Sequence, residues 1–384
     1  MKASRYLLLS YAYEPGLTAD AGGFRKLWEL AAALARRGEA VEVLYPRLPG
    51  HRALRAVPAR GYRVVDRRIA RPLTAYGSML TAALRTRPRP DVVYFRAGVN
   101  ILPVLLRRLL GSRVVLEVNA DPLEFLEVEE ARASTRRLAR WTLGWSARAS
   151  DLVVALTPEL ARRLIEEYRV PRDRVVVIPS ATDPAHFTPV EAAVARRQLG
   201  LEPDRPTIGF VGLFYRHQGV PTLLHALAKL RPGLPRLLAL VVGDGVMRSE
   251  WEATARALDL DDAVRFTGQV PYASAPLHFN AMDVMAAPFT AHRGETSPFK
   301  VLDALACARP VVASDLPSVR PLLDSGALVL VPPDDPAALA EALRALLADP
   351  GHRIAIGWKG RGWAERHASW DRAAAALAEA LERR

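Results

Sequence analysis

A chain of 384 residues is too long for a single hydrophobic core and predicts two domains. Half of the residues are apolar and 24% are charged, which excludes a disordered chain, and the one cysteine, Cys307, excludes an internal disulfide framework or a cysteine-built metal site. The net charge of +12 is uneven: residues 1–178 hold 31 Lys and Arg against 18 Asp and Glu, while residues 179–384 hold 22 against 23.

In chain order, the start MKASRYLLLSYAYEPG has a basic beginning, Lys2 and Arg5, and a short apolar run, but Glu14 interrupts it, so it reads as a first buried strand and not as a signal peptide. Short β-branched or leucine-rich runs follow at 6–10, 40–45, 92–95, 114–118, 152–155 and 175–178, with helical segments at 24–37, 103–110 and 158–167 between them. That alternation predicts a parallel sheet wrapped by helices. It then repeats, with strands at 207–211, 237–242, 264–267, 284–287, 310–313 and 328–331 and helices at 221–230, 248–258, 299–308 and 336–347.

The fold class expected is therefore α/β, with two tandem doubly wound Rossmann-like domains. Their boundaries fall at 1–180 and 207–357, joined by a proline-rich hinge over 181–206, and residues 358–384 read as a C-terminal helix crossing back to the first domain. No apolar run approaches the length of a membrane span. A cytoplasmic protein is expected, and the basic first half leaves attachment to the inner membrane face open. Two arginine clusters carry that charge: Arg52, Arg55, Arg60, Arg63, Arg67, Arg68 and Arg71 in a stretch read as irregular, and Arg132, Arg136, Arg137 and Arg140 on a helix. They read either as a solvated face or as an attraction to anionic lipid or an acidic acceptor.

Ligands of open α/β sheets bind at the carboxyl ends of strands. Glycines fall there: Gly22 and Gly23 after the first strand, Gly212 after 207–211, Gly243 and Gly245 after 237–242, and Gly268 after 264–267. No GxGxxG follows the first strand of either domain, and no GxxxxGK[ST] occurs, which argues against a dinucleotide site and a P-loop. The eight histidines show no metal spacing, and no Asp-x-Asp pair stands at a strand end. In the stretch 294–315, GETSPFKVLDALACARPVVASD, Glu295 and Asp303 flank a helix start at Ser297 and Pro298, with Lys300 in the first turn. Such a helix start suits a phosphate, because its first N–H groups lack partners. An ordinary buried amphipathic helix with a charged rim is the competing reading of that segment.

The motifs, in this order, resemble those of retaining glycosyltransferases of the GT-B fold, glycosyltransferase family 4. The pattern E-G-F-G-x-x-x-x-E with A-x-G-x-P-V-V-A stands here as ETSPFKVLD and ALACARPVVAS. I-P-N-G-V-D stands as residues 178–183, G-R-x-x-x-x-K-G as Gly212 to Gly219, V-G-D-G as residues 242–245 and F-x-G as residues 266–268.

The resemblance implies a nucleotide-sugar donor, a UDP-, GDP- or ADP-sugar, in the second domain, and an acceptor of unknown class (glycan, lipid or small molecule) in the first. Sugar would pass to an acceptor hydroxyl in the cleft with retention and without a cofactor; the lack of an Asp-x-Asp pair at a strand end argues against a metal, and the lack of a recognised motif or aromatic-rich basic groove argues against nucleic acid as partner. Glu295 would hold the donor sugar, Asp303 the ribose and Gly268 the base. Ser297, Pro298 and Phe299 would face the diphosphate, although Pro298 supplies no N–H. The family's loop Arg and Lys fall on Leu213 and Gln218, so Arg216 and Lys300 are the replacements expected to neutralise the diphosphate. Asn119 stands where family members often carry His, and Asp121 and Glu124 are acceptor candidates. A catalytically silent nucleotide-sugar-binding protein and a sugar-nucleotide epimerase of similar fold are the alternatives.

Overall fold

The computed structural model describes residues 3–10, 22–47, 57–65, 70–98, 101–121, 123, 132–292 and 297–384. The chain forms two compact units, the first built mainly of Met1–Ser180 with Trp370–Arg384 and the second of Ala181–Arg293 with Pro298–Ser369.

The sheet of the first unit contains β1 (Arg5–Leu9), β2 (Ala40–Arg47), β3 (Ala59–Arg63), β4 (Val92–Arg96), β5 (Arg113–Val118), β6 (Leu152–Ala155) and β7 (Val175–Val177). Their order is β3-β2-β1-β4-β5-β6-β7, and every neighbouring pair is parallel. Strands such as VVYF and LVVA carry no charged side chain on either face because helices cover both. The Gly22–Arg36 helix turns Leu27, Trp28, Leu30, Ala31 and Leu34 into the core. Thr157 caps the Pro158–Glu166 helix through the Leu160 N–H at 3.1 Å. Each buried Leu, Val or Phe contributes about 1.5–3 kcal/mol over its exposed state, so the stack of Leu7, Leu9, Val93, Phe95 and Leu116 fixes the register.

The second unit repeats the design with β8 (Thr207–Val211), β9 (Leu238–Val242), β10 (Val264–Gly268), β11 (Val284–Ala287), β12 (Val311–Ser314) and β13 (Leu328–Val331), in the order β10-β9-β8-β11-β12-β13. Ile208, Phe210, Leu223, Leu227, Val241 and Trp251 form its core on one face. The chain order of strands reverses between β8 and β11, so the carboxyl ends of β8, β9 and β10 lie beside a topological switch point.

Three local expectations differ from the structure. The arginine stretch read as irregular contains a strand, β3, which pairs in parallel with β2 although its sequence ARGYR shows no apolar alternation. The helix after Glu295 spans Phe299–Ala306: Pro298 stands at its cap with no side-chain bond, so Ser297 does not cap it, and Ala308 at φ 53° ends it ahead of Pro310. Residues 358–384 are not one helix. Residues 358–367 complete the Pro350–His367 helix, which packs on Phe299–Ala306 within the second unit, while Trp370–Glu382 packs on Gly22–Arg36 within the first. Arg36 pairs with Asp371 at 2.8 Å, and Arg113 donates to the Leu381 carbonyl at 2.7 Å.

Candidate functional site

In the second unit the three strand-end glycines are joined by backbone hydrogen bonds. The Gly212 N–H donates to Val242 O at 3.0 Å, the Gly243 N–H to Gly268 O at 3.0 Å, and the Phe214 N–H to Asp244 O at 2.9 Å. Gly243 lies at φ 131°, and a Cβ there would fall 1.9 Å from the Gly212 carbonyl oxygen, so the two turns pack backbone on backbone where no side chain fits. The result is a floor of main chain at the carboxyl ends of β8, β9 and β10, open to a ligand that approaches the backbone closely.

Lys300, in the first turn of the Phe299–Ala306 helix, reaches across that floor. Its Nζ sits 3.8 Å from the centre of the Phe210 ring and 5.4 Å from that of Phe289, and donates to Gln218 Oε1 at 2.5 Å. It also lies against Gly212, where a Cβ would come within 2.5 Å of the ammonium nitrogen. The rings hold a cation with little desolvation penalty, because their negative faces replace part of its hydration. The loop residue that the sequence pattern aligns with the family's lysine, Gln218, thus touches the lysine supplied by the helix. Arg216 has another environment: its side chain is 73% exposed and pairs with Glu250 at 3.7 Å.

About one turn into the same helix, Asp303 accepts a hydrogen bond from Thr182 Oγ1 at 2.7 Å. Ser297 is buried. Cys307, at the end of the helix, is fully buried, and burial together with the nearby Asp303 pushes its thiol well above the ordinary range, so it serves packing and not chemistry. Glu295 lies outside the described residues.

The first unit holds a second polar cluster that sequence reasoning named only in part. Lys26 and Glu117 are 5% and 4% exposed. The Lys26 ammonium meets Glu117 Oε2 at 3.0 Å and donates to Asn119 Oδ1 at 3.3 Å, and the Tyr94 hydroxyl donates to the same Glu117 oxygen. Burial alone would push the Glu117 carboxyl up, but Lys26, Arg96 and the Tyr94 hydrogen bond hold it below the ordinary range. Burial likewise pulls Lys26 below the ordinary lysine value. Because an ammonium only donates, it fixes the carbonyl end of Asn119 and leaves the amide Nδ2 as the free end, buried and without a hydrogen-bond partner among the described residues. The signal for this cluster was legible as a pair of interruptions: a lysine on the apolar stripe of a helix and a glutamate inside the run VVLEV.

Asp121 is engaged internally. It is fully buried, pairs with Arg163 at 2.7 Å and accepts from the Tyr168 hydroxyl at 2.8 Å, which corrects its reading as an acceptor-binding residue. Glu124 lies outside the described residues, and Gly22 and Gly23 open the first helix. The structure thus brings Gly212, Gly243, Gly268 and Lys300 into one locality of the second unit, while Asn119 belongs to the first.

Comparison with known proteins gives these two units counterparts. Residues 22–186 match the family model Glycosyltransferase Family 4, and residues 205–349 match Glycosyl transferases group 1. The D-inositol 3-phosphate glycosyltransferase of Xylanimonas cellulosilytica is 32% identical over an alignment covering 97% of this chain and 94% of the relative. The same enzyme of Kineococcus radiotolerans is 35% identical, but that alignment spans 56% of this chain and only about half, 54%, of the relative's length. Among solved structures, sucrose-phosphate synthase from Thermosynechococcus elongatus superposes with a TM-score of 0.81 at 22% identity, covering 99% of this chain and 98% of the other. Anabaena HepE in complex with UDP-glucose gives 0.77 at 18% identity, covering 99% and 100%. The structural likenesses establish the GT-B fold.

Proposed function

This chain belongs to glycosyltransferase family 4, and from that premise we propose that it moves a sugar from a nucleoside-diphosphate donor to an acceptor hydroxyl with retention of anomeric configuration. The observation that carries the proposal is Lys300: its ammonium is held on Phe210 and hydrogen-bonded to Gln218, at the loop position where the family's pattern has a lysine. A cation supplied from the helix in place of the loop keeps positive charge where a leaving diphosphate becomes more negative. The backbone floor of Gly212, Gly243 and Gly268 suits the nucleotide, with Asp303 toward the ribose, Glu295 toward the sugar, and the helix start from Ser297 through Pro298 to the Phe299 amide toward the phosphates. Arg216 supplements the charge from a more exposed position, and no metal is required.

In the step itself, the bond from the sugar's anomeric carbon to the phosphate oxygen breaks, and the acceptor oxygen bonds to that carbon on the same face. The acceptor proton passes to the departing phosphate oxygen. The Lys300 ammonium lowers the cost of the developing charge. On the first unit, the Nδ2 of Asn119 is oriented as a hydrogen-bond donor and suits an oxygen of the donor sugar or acceptor; an amide cannot shuttle the proton.

UDP-glucose and D-inositol 3-phosphate are the first pair to test, because HepE forms a complex with UDP-glucose and the relatives are named for D-inositol 3-phosphate. GDP- and ADP-sugars and other acceptors follow, with Glu295→Ala as control. Lys300→Met is expected to lower kcat for nucleotide release by about 10²–10³, and Arg216→Ala by much less. EDTA is expected to leave turnover unchanged. Donor binding with no release for any pair, or full activity in Lys300→Met, overturns the assignment.

A further inference from the structure

At the β3 edge of the first sheet, β2 and β3 end together, and their last residues, Arg47 and Arg63, are register partners. Like charges directly opposite one another on a sheet are destabilising. Neither has an ion-pair partner among the described residues, nor does Arg85, just past the Ala70–Leu84 helix that packs on β3. With Arg60, these three arginines line a cavity of about 460 Å³ whose wall also carries Ser78 and Thr81 and, among the described residues, no acidic side chain. Arg60 alone is balanced, by Glu42 beside it and by a hydrogen bond to Thr86 Oγ1 at 2.6 Å.

The seat of Arg47 is built into the strand. Gly61 lies two residues before Arg63 and therefore on the same face of β3, and a Cβ there would fall 2.6 Å from Arg47 Cγ and 2.7 Å from its Nε. The stem of Arg47 thus lies flat across Gly61. Charges on an edge strand commonly keep sheet edges from pairing with other chains. That role needs neither a cavity, nor a glycine to seat one arginine, nor two guanidinium groups in register.

We infer that this cavity binds a phosphomonoester. A dianion with several acceptor oxygens relieves the repulsion between Arg47 and Arg63 and accepts from planar guanidinium donors, whereas a neutral ligand does neither. The volume lies within the range of small-molecule sites, large enough for the phosphate and the group that carries it. The site is confined to the first unit and does not depend on the sugar donor or on the reaction proposed above.

The test is binding, at about 0.15 M salt so that diffuse attraction is screened. Two probes carry the same chemistry: soluble glycerol 3-phosphate, with glycerol as the uncharged control, and phosphatidylcholine vesicles with and without phosphatidic acid. Wild-type protein is expected to bind one of them saturably. Arg47→Ala with Arg63→Ala should weaken binding about ten-fold or more. Gly61→Ala, which leaves every charge in place, should weaken it about three-fold or more by displacing Arg47. Thermal melts of the variants show that each is folded. Saturable glycerol 3-phosphate binding identifies a free phosphate as the ligand. Capture by phosphatidic acid vesicles that glycerol 3-phosphate does not compete away identifies a lipid headgroup. Absence of binding to both probes, or equal binding by wild type, the double variant and Gly61→Ala, overturns the inference.

Discussion

Replacing Lys26 by Met removes a buried ammonium while keeping an unbranched side chain of similar length; it breaks the pair with Glu117, which dominates the cost, and the hydrogen bond to Asn119. In the native first unit Glu117 is 4% exposed and is balanced by Lys26 at 3.0 Å, with the Tyr94 hydroxyl as a second partner. Deleting one member of a buried pair leaves an uncompensated charge and costs about 3–5 kcal/mol. For a unit of this size that is a fall in its melting temperature of roughly 6–20 °C, at 2–4 °C per kcal/mol.

The cost depends on pH, with a definite sign. In wild type the Glu117 carboxyl is held below its ordinary value, so it contributes stability above the unfolded value of about 4.3 that is lost as pH falls through the folded one. Without Lys26, burial dominates and lifts the folded value above the unfolded one. Protonation on acidification then stabilises the variant relative to its neutral-pH state. The deficit of Lys26→Met should therefore be largest near pH 7 and shrink toward pH 4, and Glu117→Gln added to it should recover part of the loss. Calorimetric scans between pH 4 and pH 8 provide the measurement. A deficit under about 1 kcal/mol at pH 7, or one that does not change with pH, would refute the buried pair as a charged one.

Three further outcomes follow from the second unit. Gly243→Ala forces a Cβ to within 1.9 Å of the Gly212 carbonyl at φ 131° and should cost about 2 kcal/mol or more in urea unfolding; a neutral result means that the turns pack less tightly than this. Asp283 is nearly buried between Arg196 and Arg353, the latter at 3.1 Å, and accepts from the Thr207 N–H at 2.8 Å. Asp283→Asn should cost about 3–5 kcal/mol, and a change under about 1 kcal/mol is evidence against a charged network there. Cys307, buried with its thiol pushed up, should resist iodoacetamide in the folded chain and react at once in urea; fast native alkylation contradicts its place in the core.

The repeating pattern of apolar runs and amphipathic helices determined the α/β class and the doubly wound sheets, because strands buried on both faces must be apolar throughout and helices must turn a stripe toward them. Gly212, Gly243 and Gly268 were legible as strand-end residues for a local reason: each holds a positive φ, 154°, 131° and 74°, that glycine adopts most readily, and at Gly243 a Cβ would also meet the Gly212 carbonyl. What no local pattern contained were meetings across the chain. Strand β3 is hydrophilic and exists because β2 offers it a ladder, so ARGYR reads as a loop until its partner is known. Lys300 and Gln218 are 82 residues apart, and Lys26 and Asn119 are 93 apart. Whether a lysine balances a buried glutamate, sits on a phenylalanine ring or stands in water is decided by which strands and helices the topology sets side by side. Sequence spacing determines contacts within a helix or a strand. The energy of a charge depends on its neighbours within a few ångströms, and those neighbours only the tertiary structure supplies.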